Sequence, residues 1–202
     1  MDLRNLICTH LDLPRLSKDL DEIGHDARVW SVHQWTRADM AVLWEAAKGF
    51  RALDLNDLVP SSTSPLVEVI HDGKNSLPAF TVFQKRFCRP TATSPSLGES
   101  LVGYNLQTFS PFTGPGYYVA HKSAEAGEVD IDYTVRPEEK PDGWPPIVSN
   151  NALLGRFVYA GMVDVVRGIS SHVTLGRSKS ANRKDWLDVW FVLVRENSAP
   201  SL

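Results

Sequence analysis

The sequence is poor in the features that announce most functions. Only two cysteines occur in 202 residues, Cys8 and Cys88, eighty positions apart. No disulfide framework and no CxxC metal or redox pair can be built from them. Charge of one sign is also lacking. The 21 basic and 24 acidic residues leave a formal charge of −3, so no global basic field exists to hold nucleic acid. Long apolar runs are missing as well. The opening MDLRNLICTH carries Asp2 and Arg4 and makes no secretory signal, so a cytoplasmic location is expected. The uncharged stretch 100–121 holds Gly103, Pro111, Gly114, Pro115 and Gly116, which no spanning helix would carry. The GxxxxGK[ST], GxGxxG, HExxH and GxSxG patterns are all absent, which disfavours nucleotide hydrolysis, dinucleotide redox chemistry, zinc proteolysis and serine-elbow hydrolysis.

What is present is globular. Hydrophobic residues make up 43% of the chain, and a chain this long buries roughly 70% of its unfolded surface without a staple. The first quarter reads as helix. Leu13, Leu16, Leu20 and Ile23 recur at helical spacing after Asp12 and Pro14, and Thr36 with Asp39 forms a capping box ahead of Met40, Leu43 and Trp44. Residues 26–34 between them fit two patterns, Val29, Trp30 and His33 a helix face and Trp30 and Val32 a strand, and are read as a short helix.

From residue 66 the period becomes that of strands. Segments 66–71 and 79–88, with Asp72-Gly73 between them as a hairpin dipeptide, are followed after a Pro/Ser/Thr loop at 90–100 by segments 101–110, 116–122 and 128–135, separated by short glycine-bearing turns. Residues 151–167 present Leu153, Leu154, Phe157, Val158, Met162 and Val165 as one helix face. Segments 170–177 and 186–195 close the chain. Apolar residues on both faces of the last one predict a strand covered on each side.

The expected fold class is therefore α+β: N-terminal helices packed on a curved antiparallel sheet or partly open β-barrel of about seven strands, with one helix (151–167) inserted before the closing hairpin. Residues 1–202 are expected to form a single domain, 1–60 its helical segment and 61–202 its β-rich portion.

Candidate chemistry lies in histidines and aromatics. His71, His121 and His172 fall in or beside strands, so a curled sheet could bring them together, although no HxH spacing supports a ligand set. Glu128, Asp130 and Asp132 alternate against Val129, Ile131 and Tyr133, which places the acidic row on the face opposite the core; no metal and no cofactor are expected. The basic residues Arg177, Lys179, Arg183 and Lys184 read as a solvated hairpin tip.

Aromatics are abundant on the strands, and if the sheet closes some of them line its interior. The leading expectation is a binding protein that holds an apolar or aromatic small molecule in a β-rich cavity, with Tyr104, Tyr118, Tyr133, His121 and Trp190 as its ligand-binding residues. A rival is a cofactor-independent isomerase, cyclase or hydrolase using His121 or His172 as general base with an Asp partner. A third reading is a protein-interaction module built on Trp30, Trp35 and Trp44. The closing segments Leu175-Gly176-Arg177 and Trp190 to Arg195 look like the final hairpin of plastid lipid-associated, fibrillin-type barrels over roughly one tenth of the chain. The likeness includes no catalytic position, and no family is assigned from it.

Overall fold

Helix starts in the N-terminal part follow the side chains that can satisfy open N–H groups. In the computed structural model, which describes residues 3–79, 81–92, 98–107, 115–148, 161–182 and 185–196, a short helix α1 (Asn5–Cys8) precedes α2 (Leu13–Glu22), whose N-cap Asp12 accepts from the Arg15 N–H. Helix α3 (His25–His33) follows, then α4 (Arg37–Ala46) with the Thr36/Asp39 capping box complete on both sides. Helix α5 (Leu55–Leu58) is a single turn capped the same way by Asp54 and Asp57.

Eight strands come next: β1 (Val69–Asn75), β2 (Val82–Cys88), β3 (Ser100–Leu106), β4 (Tyr117–Lys122), β5 (Val129–Asp132), β6 (Met162–Gly168), β7 (Val173–Ser180) and β8 (Trp186–Arg195). Each pairs antiparallel with the next, and β8 returns to β1 with His71 opposite Arg195 and Asn75 opposite Phe191. The barrel is closed.

Four expectations are corrected here. The sheet has eight strands rather than about seven, and it is closed rather than partly open, which leaves it no edge. The missed strand is β6: residues 162–167, expected as the end of a helix, are extended, because the β-branched run Val163, Val165 and Val166 has a core on both sides. The rest of that expected helix, 151–160, lies outside the described residues. So do Phe80, Phe109, Phe112, Arg183 and Lys184. Asp72-Gly73 is not a turn but part of β1. Its glycine is needed because the Phe83 ring lies over it, and a Cβ there would sit 2.7 Å from that ring.

The same device recurs around the interior. Tyr118 covers Gly103 and Phe191 covers Gly176, each across a paired strand, so each aromatic ring fills the space that a side chain on its neighbour would have taken.

Two layers flank the wall. Outside β6, β7 and β8, the helices bury Leu16, Leu20, Trp35, Met40, Leu43 and Trp44 against Val165, Leu175, Trp190, Val192 and Val194. Arg167 pins this layer: its guanidinium stacks 3.8 Å from the Trp44 ring, donates to the Trp44 carbonyl at 2.7 Å, and pairs with buried Glu128 at 2.7 Å. On the outer face of β3 and β4, Tyr104, Tyr117 and Trp144 make a smaller cluster.

One end of the barrel is plugged. Leu53, Leu55, Leu58 and Val59 enter the interior cluster that contains Phe87, Leu101, Val129, Val166 and Leu193. The Leu53 N–H donates to Gly127 O at 3.0 Å, Arg89 donates to Val59 O at 2.7 Å, and His71 Nε2 donates to Leu58 O at 2.9 Å. Burial holds His71 at about 3, although its bond to the Leu58 carbonyl favours the charged ring. It is a neutral part of the plug.

Candidate functional site

Strand alternation decides which side chains face the interior. On β2, Phe83, Lys85 and Phe87 point inward while Gln84 and Arg86 point out, so a lysine is carried into the barrel between two phenylalanines. It is 2% exposed. Burying an ammonium is costly unless partners meet it, and here they come from the adjacent strand β3 and from across the barrel. Lys85 Nζ donates to Asp164 Oδ2 on β6 at 3.1 Å and to Asn105 Oδ1 on β3 at 3.0 Å, and it bonds the Tyr133 hydroxyl just beyond β5.

The partners also bind one another. The Tyr133 hydroxyl donates to Asp164 Oδ2 at 3.2 Å, Asn105 Nδ2 reaches the same hydroxyl at 2.9 Å, and Ser178 Oγ on β7 donates to Asp164 Oδ1 at 2.6 Å. Both carboxylate oxygens are thus held. Aromatic rings close around the ammonium, with centroids at 4.9 Å for Tyr118, 5.0 Å for Tyr133, 5.1 Å for Phe191 and 5.8 Å for Phe83. Burial lowers the Lys85 amine below its ordinary value, and the Asp164 charge and hydrogen bond oppose that shift. Burial, reinforced by Asp164, pushes the Tyr118 phenol far up, so it stays protonated.

This network is the floor of a cavity at the end of the barrel opposite the plug. The cavity measures about 290 Å³, at the small end of ligand pockets. Its walls are apolar: Leu77, Phe83, Met162, Leu187, Val189 and Phe191. Asn75, Gln107, Asn105, Tyr133, Lys85, Asp164 and Ser178 supply its polar lining. An ion pair of this kind is a weak source of stability, since apolar residues of the same volume often hold a core as well. Placed at the base of an open cavity, a perturbed amine with a carboxylate partner is a candidate functional centre instead.

The structure places the residues expected from sequence as follows. Tyr133 belongs to the floor, and Tyr118 lies in the interior with its hydroxyl donating to Arg86 O at 3.2 Å. Tyr104 packs on the outer face with Trp144, and Trp190 is buried under the helices. His121 faces outward at the end of β4, with its Nδ1 3.0 Å from Lys122 O. His172 sits in the β6–β7 turn and His71 in the plug, so the three strand histidines stay apart. Asp130 pairs outside the barrel with Lys179 at 3.4 Å. Among the described residues, no group of three His, Cys, Asp or Glu side chains is placed to hold a metal ion.

Lys85 was findable from sequence. Phe83 and Phe87 have its parity, and the polar Gln84 and Arg86 occupy the other. Asp164 was hidden by the helical reading of its segment.

No family model matches the chain, and no curated protein matches it. A solved structure described as a surface lipoprotein covers 66% of this chain at 7% identity with a TM-score of 0.28; the chain spans 62% of that protein's length. A likeness that loose carries no argument. Among the described residues, no helix is long and apolar enough to cross a membrane.

Proposed function

We propose that this protein binds a small apolar or aromatic molecule in the open end of its barrel, with one polar group of the ligand turned toward the Lys85–Asp164 floor. The observation that carries this reading is the cavity of about 290 Å³ with apolar walls and a convergent polar base. Lys85 and Asp164 cancel each other's charge, so the floor suits a neutral polar group such as a carbonyl, hydroxyl or amide. A fixed ligand charge would leave the buried site unbalanced. Phe83 and Phe191, whose ring centroids lie 6.2 Å apart in an edge arrangement, supply flat surfaces for a planar ligand.

Thermal denaturation across a panel of neutral aromatic alcohols, amides and aldehydes tests the reading. A ligand at a hundred times its Kd adds about 2.7 kcal/mol to stability, a shift of several degrees. Val189→Trp, which fills the cavity from its wall, should abolish the shift. His121→Gln, on the outer face, should leave it intact. A panel that produces no shift at millimolar concentration, or shifts that survive Val189→Trp, would sink the proposal.

A further inference from the structure

The lysine at the base of the cavity is more than a hydrogen-bond donor. We infer that the ligand class is a carbonyl compound, an aromatic or conjugated aldehyde, which Lys85 holds as a protonated imine with Asp164 as its counter-ion. This rests on the ligand-binding reading of the same cavity and specifies its chemistry.

Three features lead there. Lys85 Nζ is the amine that the cavity walls converge on, and four aromatic rings surround it within 5.8 Å, so a bound aldehyde would have its carbonyl beside nitrogen and its apolar body against Phe83 and Phe191. Asp164 Oδ2 is 3.1 Å from that nitrogen and can take its proton, leaving a neutral nucleophile. The Tyr133 hydroxyl bridges the two groups and can donate to a carbonyl oxygen arriving between them. The dry aromatic surround favours the free amine, in line with the lowered Lys85 pKa, which burial causes.

The step balances without an outside reagent. The Lys85 ammonium passes a proton to Asp164, and the nitrogen lone pair forms a C–N bond to the aldehyde carbon to give a carbinolamine. The carbinolamine C–O bond then breaks and one water leaves. Asp164 gives its proton to that departing hydroxyl, which makes the water, while the nitrogen lone pair forms the C=N bond, so the product is an iminium beside a carboxylate, the same charge pair that stood there before the reaction.

The test incubates the full chain with naphthaldehyde and cyanoborohydride, which reduces an iminium to a stable secondary amine, and maps the labelled peptides by mass spectrometry. In parallel, naphthylmethanol, which cannot form an imine, is assayed by thermal shift. Lys85 is one of eight lysines and the others serve as internal references, Lys18, Lys48 and Lys122 being exposed. Because the bound aldehyde is held with its carbonyl beside Lys85 Nζ, Lys85 should label faster than any exposed lysine, and naphthylmethanol, which occupies the same cavity, should compete with the labelling. Lys85→Met should lose the adduct, whereas His121→Gln, on the outer face, should keep both the adduct and the thermal shift with naphthylmethanol; should Lys85→Met not fold, the wild-type peptide map still decides. A thermal shift with naphthylmethanol but no preferential adduct at Lys85 overturns the imine and leaves the binding reading standing. If naphthylmethanol gives no shift and the adducts fall evenly over exposed lysines, both fail.

Discussion

Asp164→Asn isolates the charge of the buried pair while nearly conserving its shape. The amide oxygen can still accept from Ser178, whose hydroxyl now meets Asp164 Oδ1 at 2.6 Å, and the amide nitrogen can face the Tyr133 oxygen. What disappears is the countercharge 3.1 Å from Lys85 Nζ, in a place where the lysine is 2% exposed. The folded variant has two routes. It can keep an unpaired buried ammonium, at about 3 to 5 kcal/mol. Or it can fold with a neutral amine, which at pH 7 costs the free energy of deprotonating a lysine whose unfolded pKa is about 10.4, roughly 4 to 5 kcal/mol. By pH 9 that second cost has fallen to about 2 kcal/mol and must win. The unfolded chain then binds one proton that the folded variant does not, so stability rises with pH by about 1.4 kcal/mol per unit. Wild type depends on pH in the same direction through Lys85 but less steeply, because Asp164 opposes the lowering that burial causes. Urea denaturation of both proteins at pH 7, 8 and 9 reads the difference, and subtracting wild type removes the other titrating groups. A deficit below about 1 kcal/mol at pH 7, or one that stays constant to pH 9, would refute the claim that a charged pair sits in a dry interior.

Three other changes test separate parts of the molecule. His71 stays neutral in the fold to about pH 3, while the unfolded chain takes up a proton below about 6.5, so stability should fall on acidification, by roughly 2 kcal/mol between pH 6.5 and 5; His71→Gln should flatten that limb of a pH–stability curve. Trp44→Ala should cost about 3 to 5 kcal/mol in a denaturant titration, since the ring is 2% exposed and carries the Arg167 guanidinium, whereas Thr36→Ala should cost about 1 kcal/mol through the lost cap. Gly176→Ala would put a Cβ 2.0 Å from the Phe191 ring and should cost about 1 to 3 kcal/mol of stability, read by denaturant titration, while displacing a wall of the cavity; a variant as stable as wild type with unaltered ligand shifts would show that the ring does not rest on that glycine.

The helical segment was legible because its signals are local. Asp12, Thr36 with Asp39, and the 3–4 spacing of Leu13, Leu16 and Leu20 act within a few residues, and the helices start where those signals stand. The acidic row of β5 and the two apolar faces of β8 were legible for the same reason, since alternation is read along a single strand. Closure was not, because the β1–β8 pairing joins residues more than a hundred positions apart and leaves no periodic trace. The segment containing β6 shows how ambiguity arises: apolar residues buried on both faces of a strand lose their alternation, and Met162, Val163, Val165 and Val166 also fit a helix stripe. That ambiguity concealed Asp164, and with it the partner that explains why Lys85 can lie inside. Histidines and tyrosines drew attention in the sequence because their side chains are versatile, but versatility does not say which face a side chain occupies. Only Tyr133 among the expected ligand-binding residues reaches the cavity lining.

The cavity itself follows from how interior volume is distributed along the barrel. An eight-stranded barrel is just wide enough for its own side chains to fill. Toward the plug they do so, with Phe87, Leu101, Val129, Val166 and Leu193 meeting Leu55 and Leu58 from α5. In the middle, three glycines stand opposite three large rings, so each pair occupies the room of one aromatic and the packing neither overfills nor opens. Toward the other end the inward positions include Asn75, Asn105, Asp164 and Ser178, smaller than the leucines and phenylalanines below them: Asn75 accepts from the Leu77 N–H, Asn105 bonds Lys85 and Tyr133, and Ser178 bonds Asp164. Asn105, Asp164 and Ser178 belong to the network at the floor, while Leu77, Leu187 and Val189 line the cavity above it. Space is left there because the side chains that would fill it are short, and it keeps an apolar lining because the wall strands continue past the last polar layer. A barrel selected for stability alone would place leucine at Lys85 and Asp164 and close the gap. Lys85→Leu combined with Asp164→Leu should therefore fold with stability equal to or above that of wild type, unlike either single change, and should lose its response to ligands. Additive destabilisation in that double variant, measured by urea midpoint against both singles, would mean instead that the pair is a structural fastener of the barrel.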